Sequence, residues 1–206
     1  MTASQPPPPG ASYRLILASA SPRRAELLRE HGYTFDVKVS PYEEPTTLDK
    51  GISPAAHAEA LSIFKATSVA DVVTNGLILA ADTIAELNGC IFGKPADRDD
   101  ARRILTTLAG TTHRVITAIT LLDASRGTRL TRHATTNITM RPLPAEEIEA
   151  YLNTQAWEGK AGAYGIQDVG DQFVEVVDGS FTNVVGLPIE LLSEMLDAWN
   201  ATSGKK

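Results

Sequence analysis

The chain has 206 residues, 43% hydrophobic and 21% charged, with 19 Lys and Arg against 25 Asp and Glu and a formal net charge of −6. That length suits one domain with a sizeable core. The acidic balance excludes a broad basic face for duplex nucleic acid, so positive charge for an anionic ligand must be local. Cys90 is the single cysteine, which rules out an intrachain disulfide and a cysteine-based zinc site and suits a reducing cytoplasm. No stretch is apolar for long enough to span a bilayer. The first ten residues, MTASQPPPPG, lack the basic start and apolar run of a signal peptide. Residues 1–12 are expected to be a disordered proline-rich lead-in, 13–201 a single domain and 202–206 a tail.

Arg14–Ser19 is a short apolar run, expected as a buried strand. Ser21 and Pro22 match a helix N-cap and first position, and the helix should continue through Arg23–His31 to a stop at Gly32. Thr34–Val39 is a second strand candidate. Ser53-Pro54 repeats the helix start, with a helix to about Val73 and Ala60, Leu61, Phe64 and Ala66 as expected core positions. Leu77–Ala81 reads as a buried strand ending on Asp82. Asn88-Gly89 has the composition of a type I′ hairpin turn. Asp97 should cap a helix to Leu108, closed by Gly110. Val115–Leu122 and Ala134–Met140 look like a β-hairpin, and the stretch from Asp123 to Met140 could form a second lobe. Pro144–Leu152 is a short helix, Glu158–Gln167 a glycine-rich turn, Phe173–Val177 a strand and Pro188–Trp199 the final helix. The interleaving has no strict βαβ beat. The fold class is therefore α/β or α+β with a mixed sheet.

Five groups of residues could carry chemistry. Ser19-Ala20-Ser21-Pro22-Arg23-Arg24 lies at a strand-to-helix turn. Helix N-termini offer free N–H groups and partial positive charge to anions, and two guanidinium forks suit phosphate oxygens. A plain cap flanked by two solvated arginines fits the same residues. The glycines and Gly-Lys-Ser/Thr ending of a P-loop are absent. Asp82-Thr83 sits where ligands bind in open α/β sheets, beyond a strand end. A carboxylate there can hold a divalent metal or take a proton from water; a simple turn residue is the alternative. Glu43-Glu44 could add carboxylates to a Mg²⁺ or Mn²⁺ site, or could be solvated loop acids. Lys65, Lys94 and Lys160 are potential point charges for phosphate, the last two in glycine-bounded turns. The Gln167 amide could pair with the N–H and carbonyl edge of thymine or uracil, but guanine presents a similar pair and a rotated amide suits cytosine. A covalent serine would need a histidine base, and nothing links His31 to the serines. Cys90 reads as a small packing residue. His57, His113 and His133 show no metal-ligand spacing.

Taken together, these residues resemble the Maf family of nucleotide pyrophosphatases. The resemblance spans about Leu15 to Leu192. It is carried by Leu17-Ala18-Ser19-Ala20-Ser21-Pro22-Arg23-Arg24, Ala81-Asp82-Thr83, Phe92-Gly93-Lys94-Pro95, Lys160-Ala161-Gly162-Ala163-Tyr164-Gly165-Ile166-Gln167 and Val184-Val185-Gly186-Leu187-Pro188. It implies a mixed sheet in two lobes around a deep cleft, similar to inosine triphosphatase, and a homodimer. It also implies hydrolysis between the α and β phosphates of a nucleoside triphosphate with a divalent cation. By that resemblance Asp82 is the general base, and Arg23, Thr83 and Gln167 are the selectivity positions. Ser19, Arg24, Glu44, Lys65, Lys94 and Lys160 fall on phosphate or metal contacts, Glu44 and Asp82 being the metal pair. The Asp-Thr pair and the block ending in Gln167 resemble the branch acting on dTTP and UTP. A 7-methyl-GTP pyrophosphatase, or a nucleotide-binding regulator of septum formation with little catalysis, is the competing expectation. Two stretches depart from the family pattern: Trp157-Glu158-Gly159 before Lys160, and Ser62-Ile63-Phe64 before Lys65. Neither a stable nucleic-acid partner nor a membrane is expected, and the location is cytoplasmic.

Overall fold

The computed structural model describes residues 13–45, 51–167 and 172–203; the proline-rich lead-in and the last three residues of the tail lie outside them. The chain runs β1 (Leu15–Leu17), α1 (Pro22–Glu30), β2 (Asp36–Val37), α2 (Pro54–Ala70), β3 (Leu77–Leu87), β4 (Cys90–Phe92), α3 (Arg98–Leu108), β5 (Thr112–Asp123), β6 (Arg129–Met140), α4 (Ala145–Leu152), a 3₁₀ turn (Ala161–Ala163), β7 (Val174–Asp178), α5 (Phe181–Val185) and α6 (Ile189–Ser203). The mixed sheet has the order β2-β1-β3-β5-β6-β7, with β4 also on β3.

Local signals place the helices. Pro22 opens α1 and Pro54 opens α2. Ser53 Oγ accepts from Ala56 N and Asp97 Oδ1 from Asp100 N, each satisfying a backbone donor that the first helical turn leaves open. Ser21 occupies the N-cap of α1 without a side-chain cap bond; its own N–H donates to Ser19 Oγ instead. Asn88 and Gly89 both take positive φ, 52° and 85°, in the two-residue turn joining β3 to β4.

Several expectations are corrected. The strand expected over Thr34–Val39 shrinks to two exposed residues, because nothing buries either face of it. The strand carrying Asp82 does not stop there. β3 continues to Leu87, paired antiparallel with β5 from Leu77↔Asp123 to Glu86↔Arg114; this long ladder outweighs the local polarity of Asp82-Thr83. The Asp123–Met140 stretch does not stand apart from the sheet: β6 pairs with β5 along its length. Along α2, Leu61 and Ala66 are buried as expected, but Ala60 and Phe64 are half-buried and Ala58, Ser62 and Val69 take the inner face. Cys90 is exposed at the hairpin rather than packed inside.

Strand alternation sorts the core. Leu77, Leu79, Ala81 and Ala85 face one side, with Leu27 and Leu28 of α1 and residues of α3, α4 and α6. Ile78 and Ala80 face the other, with Ala66 and Val69 of α2. Neighbouring side chains in a strand point to opposite faces, so Asp82 goes to the α2 side and Thr83 to the α1 side. On β3, one edge is taken by β5. The other holds β1 against 77–79 and β4 against 85–87. Between them, at 80–84, no described strand pairs that edge, and the sheet opens.

Candidate active site

A cavity of about 780 Å³ occupies this opening. Its wall includes all ten residues singled out from the sequence: Ser19, Arg23, Arg24, Glu44, Lys65, Asp82, Thr83, Lys94, Lys160 and Gln167. They come from the β1–α1 turn, the first turn of α1, the segment after β2, α2, β3 and the loops before α3 and β7.

On the α2 side, Lys65 Nζ bonds Asp82 Oδ1 at 2.6 Å and lies 3.2 Å from Glu44 Oε1. The Lys65 and Asp82 side chains are 11% and 9% exposed, so this ion pair is largely out of water. The unusual Ser62-Ile63-Phe64 stretch does not displace Lys65: Ser62 is buried and hydrogen-bonds Glu59 O and Thr120 Oγ1. Asp82 Oδ2 is buried without a hydrogen-bond partner among the described residues. Such a group is costly unless a ligand or solvent meets it. No group of three or more His, Cys, Asp or Glu able to hold a metal occurs among the described residues. Asp82 and Glu44 do suit a hard divalent ion that completes its shell with phosphate oxygens and water, as Mg²⁺ commonly does.

On the α1 side, Arg24 closes the gap in the sheet. Its Nε donates to Gly186 O at 2.8 Å, Nη1 to Ala81 O at 2.9 Å and Ser19 Oγ at 3.1 Å, and Nη2 to Thr83 Oγ1 at 3.1 Å. A guanidinium has five N–H groups, so four are spent on the protein. The expected phosphate fork is thus chiefly a tie between β1, β3 and the end of α5. Burial lowers the Arg24 pKa below the usual arginine value, and the Asp82 and Glu44 carboxylates partly offset this. Arg23 makes no hydrogen bond or ion pair with a described residue; it is half-buried and lines the cavity. Ser19 Oγ accepts from both Ser21 N and Arg24 Nη1, which leaves its proton for a ligand.

The loop carrying Lys160 and Gln167 is braced from behind. Gly162 takes φ +75°, and a Cβ there would meet Tyr164 Cε1 at 3.0 Å and Ala85 Cβ at 3.2 Å. Tyr164 OH lies 2.8 Å from His113 Nε2, with the rings edge-to-face at 5.6 Å. Burial pushes the His113 pKa down to about 4 and raises that of Tyr164. Sequence reasoning missed this brace, as it missed Thr117 and Asn183 behind Thr83. Only buried polar residues in an apolar strand and a five-residue helix could have signalled them.

The mixed α/β fold is consistent with a Maf-like protein, and the chain belongs to that family: the family's sequence pattern matches residues 14–199. Its relatives narrow the comparison. The chain is 44% identical over 186 residues to a dTTP/UTP pyrophosphatase of Ruminiclostridium cellulolyticum, covering 90% of this chain and 96% of that one. It is 42% identical over 191 residues to the dTTP/UTP pyrophosphatase of Moorella thermoacetica (90% and 97%) and 46% over 184 residues to that of Alkaliphilus metalliredigens (89% and 94%).

Proposed function

We propose that this chain hydrolyses nucleoside triphosphates between the α and β phosphates, releasing a monophosphate and pyrophosphate, with dTTP and UTP as preferred substrates. The observation that carries the reading is the buried Lys65–Asp82 pair, whose Oδ2 has no hydrogen-bond partner among the described residues, set in one cleft with the Ser19–Arg24 segment. The relatives named dTTP/UTP pyrophosphatase support it.

In this mechanism Asp82 orients a water and accepts its proton on Oδ2, while Lys65 holds Oδ1 and fixes the carboxylate's direction. The water oxygen bonds to the α-phosphorus as the bond from that phosphorus to the bridging oxygen breaks, and pyrophosphate leaves with the electron pair. Ser19 donates its remaining proton to a phosphate oxygen. Arg23, Lys94 and Lys160 balance charge on the leaving group, the electrostatic work that dominates phosphoryl transfer. Arg24 keeps one N–H for the same purpose and otherwise holds the turn in place. Glu44, with Asp82 beside it, would hold a Mg²⁺ or Mn²⁺ ion, which when bound neutralises phosphate charge. Thr83 and Gln167 face the base. The catalytic unit runs from residue 13 to residue 201, works in the cytoplasm and pairs as a homodimer.

The test is a panel of dTTP, UTP, CTP, GTP and 7-methyl-GTP in Mg²⁺ or Mn²⁺, with both products identified. Asp82→Asn keeps the shape and removes the charge, so turnover should fall by about two or more orders of magnitude. Near-wild-type turnover by that variant, or release of orthophosphate in place of pyrophosphate, overturns the assignment.

A further inference from the structure

The Thr83 hydroxyl has a fixed polarity. Arg24 Nη2 donates to Thr83 Oγ1 at 3.1 Å, and Thr117 Oγ1 lies 3.0 Å on its other side. Thr117 has a single hydroxyl proton, and it goes to the Asn183 carbonyl at 2.9 Å. The contact between the two threonines therefore has one direction: Thr83 donates and Thr117 accepts. Asn183 is itself held in place. It is fully buried, its Nδ2 donates to Val115 O at 3.0 Å and Thr136 Oγ1 at 2.9 Å, and its carbonyl also receives Gly186 N at 3.1 Å. A hydroxyl has one proton and two lone pairs. Thr83 has spent its proton and one lone pair on described residues. It offers the cleft a single lone pair, the reverse of Ser19.

We infer that Thr117 and Asn183 are positioning residues for base selection. They hold Thr83 as a hydrogen-bond acceptor, so the group it recognises carries an N–H, the ring N3–H of thymine or uracil. This rests on the pyrophosphatase reading above. An ionised phosphate oxygen has no proton to give and does not suit Thr83, whereas it suits Ser19. Val115, Val184, Val185 and Ile166 line the cleft and belong to or pack against the same core cluster as the residues on the Thr83 side of β3. That is an apolar wall fit for a flat ring, with the Lys65–Asp82–Glu44 charges on the opposite face. Cytosine carries a bare lone pair at N3. To meet it, Thr83 must turn its proton away from Thr117, giving up one buried hydrogen bond.

The experiment measures kcat/KM for UTP and CTP with the full chain in Mg²⁺, for wild type, Thr117→Val and Thr117→Ser. Valine keeps the branched shape and removes the acceptor, which frees the Thr83 proton to meet cytosine. The UTP-to-CTP ratio should fall by about three- to tenfold, the effect of one net hydrogen bond, mainly through a gain for CTP. Serine restores the acceptor and should restore the ratio. Thr117→Ala is the second variant should valine fail to fold. With wild type alone, 3-methyl-UMP, which lacks the N–H, should inhibit about tenfold or more weakly than UMP. An unchanged ratio with intact UTP turnover overturns this inference and leaves the pyrophosphatase reading standing. So does a parallel fall for both nucleotides, equal inhibition by the two monophosphates, or a wild-type preference for CTP. A wild type that turns over no nucleotide overturns both.

Discussion

Replacing Arg24 by methionine separates its role as an internal tie from a role as a ligand-facing charge. The side chain makes four hydrogen bonds, two of them to the backbone carbonyls of Ala81 and Gly186, both buried residues. Each carbonyl left without its donor costs about 1–3 kcal/mol, and the two hydroxyls that lose Arg24 can turn to other partners. Methionine fills similar space, and removing a buried charge returns part of its desolvation cost. The net loss is then about 3 kcal/mol, or a fall in Tm of roughly 6–12 °C for a chain of this size. Arg24→Lys should recover less than half of it, since one ammonium cannot reach Gly186 O, Ala81 O and Thr83 Oγ1 together. Thermal melts and urea titrations without ligand measure the effect. A methionine variant within about 2 °C of wild type but devoid of activity would refute the tie and make Arg24 a substrate contact.

Three further outcomes follow from the same geometry. Lys65→Met leaves the Asp82 carboxylate buried without its cation and should cost about 3 kcal/mol of stability along with most of kcat; a variant with unchanged urea midpoint would show the pair to be unimportant for folding. His113 has its pKa depressed to about 4 from 6.5, so the unfolded chain binds a proton that the buried ring refuses. Stability should therefore fall as pH drops from about 6.5 to 4, by up to roughly 3 kcal/mol more in wild type than in His113→Gln; parallel stability–pH curves for the two would contradict the burial argument. Gly162→Ala forces a side chain onto a positive φ and against Tyr164 and Ala85. It should lower stability by about 2 kcal/mol and raise KM more than it lowers kcat, and an unchanged KM would uncouple that loop from substrate binding.

The sequence was most informative where structure is decided locally. Ser53-Pro54, Asp97 and Asn88-Gly89 carry their caps and turns within four residues, and each forms as expected. The length of β3 was hidden because Asp82-Thr83 interrupts the apolar run, and the ladder that carries the strand past them is contributed by β5, some thirty residues away. Helix α5 was missed although Ser180 caps it and Gly186 ends it, because five residues are too few to show a helical period. For the cleft, the motif blocks named every wall position singled out except Glu44 and Lys65, which lie outside them, but not which way the guanidinium of Arg24 turns. Nor does anything in the sequence link Thr117 to Asn183, 66 positions later, where one hydrogen bond joins them.

The alternation of β3 has a consequence for how this scaffold can change. Positions 82 and 83 are joined by one peptide unit, yet they look into different neighbourhoods separated by the thickness of the sheet. An exchange of Thr83 or of the residues behind it alters the surroundings of one face and leaves Lys65 and Glu44 untouched. Ligand preference can thus drift by substitution while the chemistry stays fixed. A single inserted residue upstream in the strand would have the opposite effect, turning both side chains onto the wrong sides at once. In β3, substitutions are the permitted currency of divergence and length changes are not.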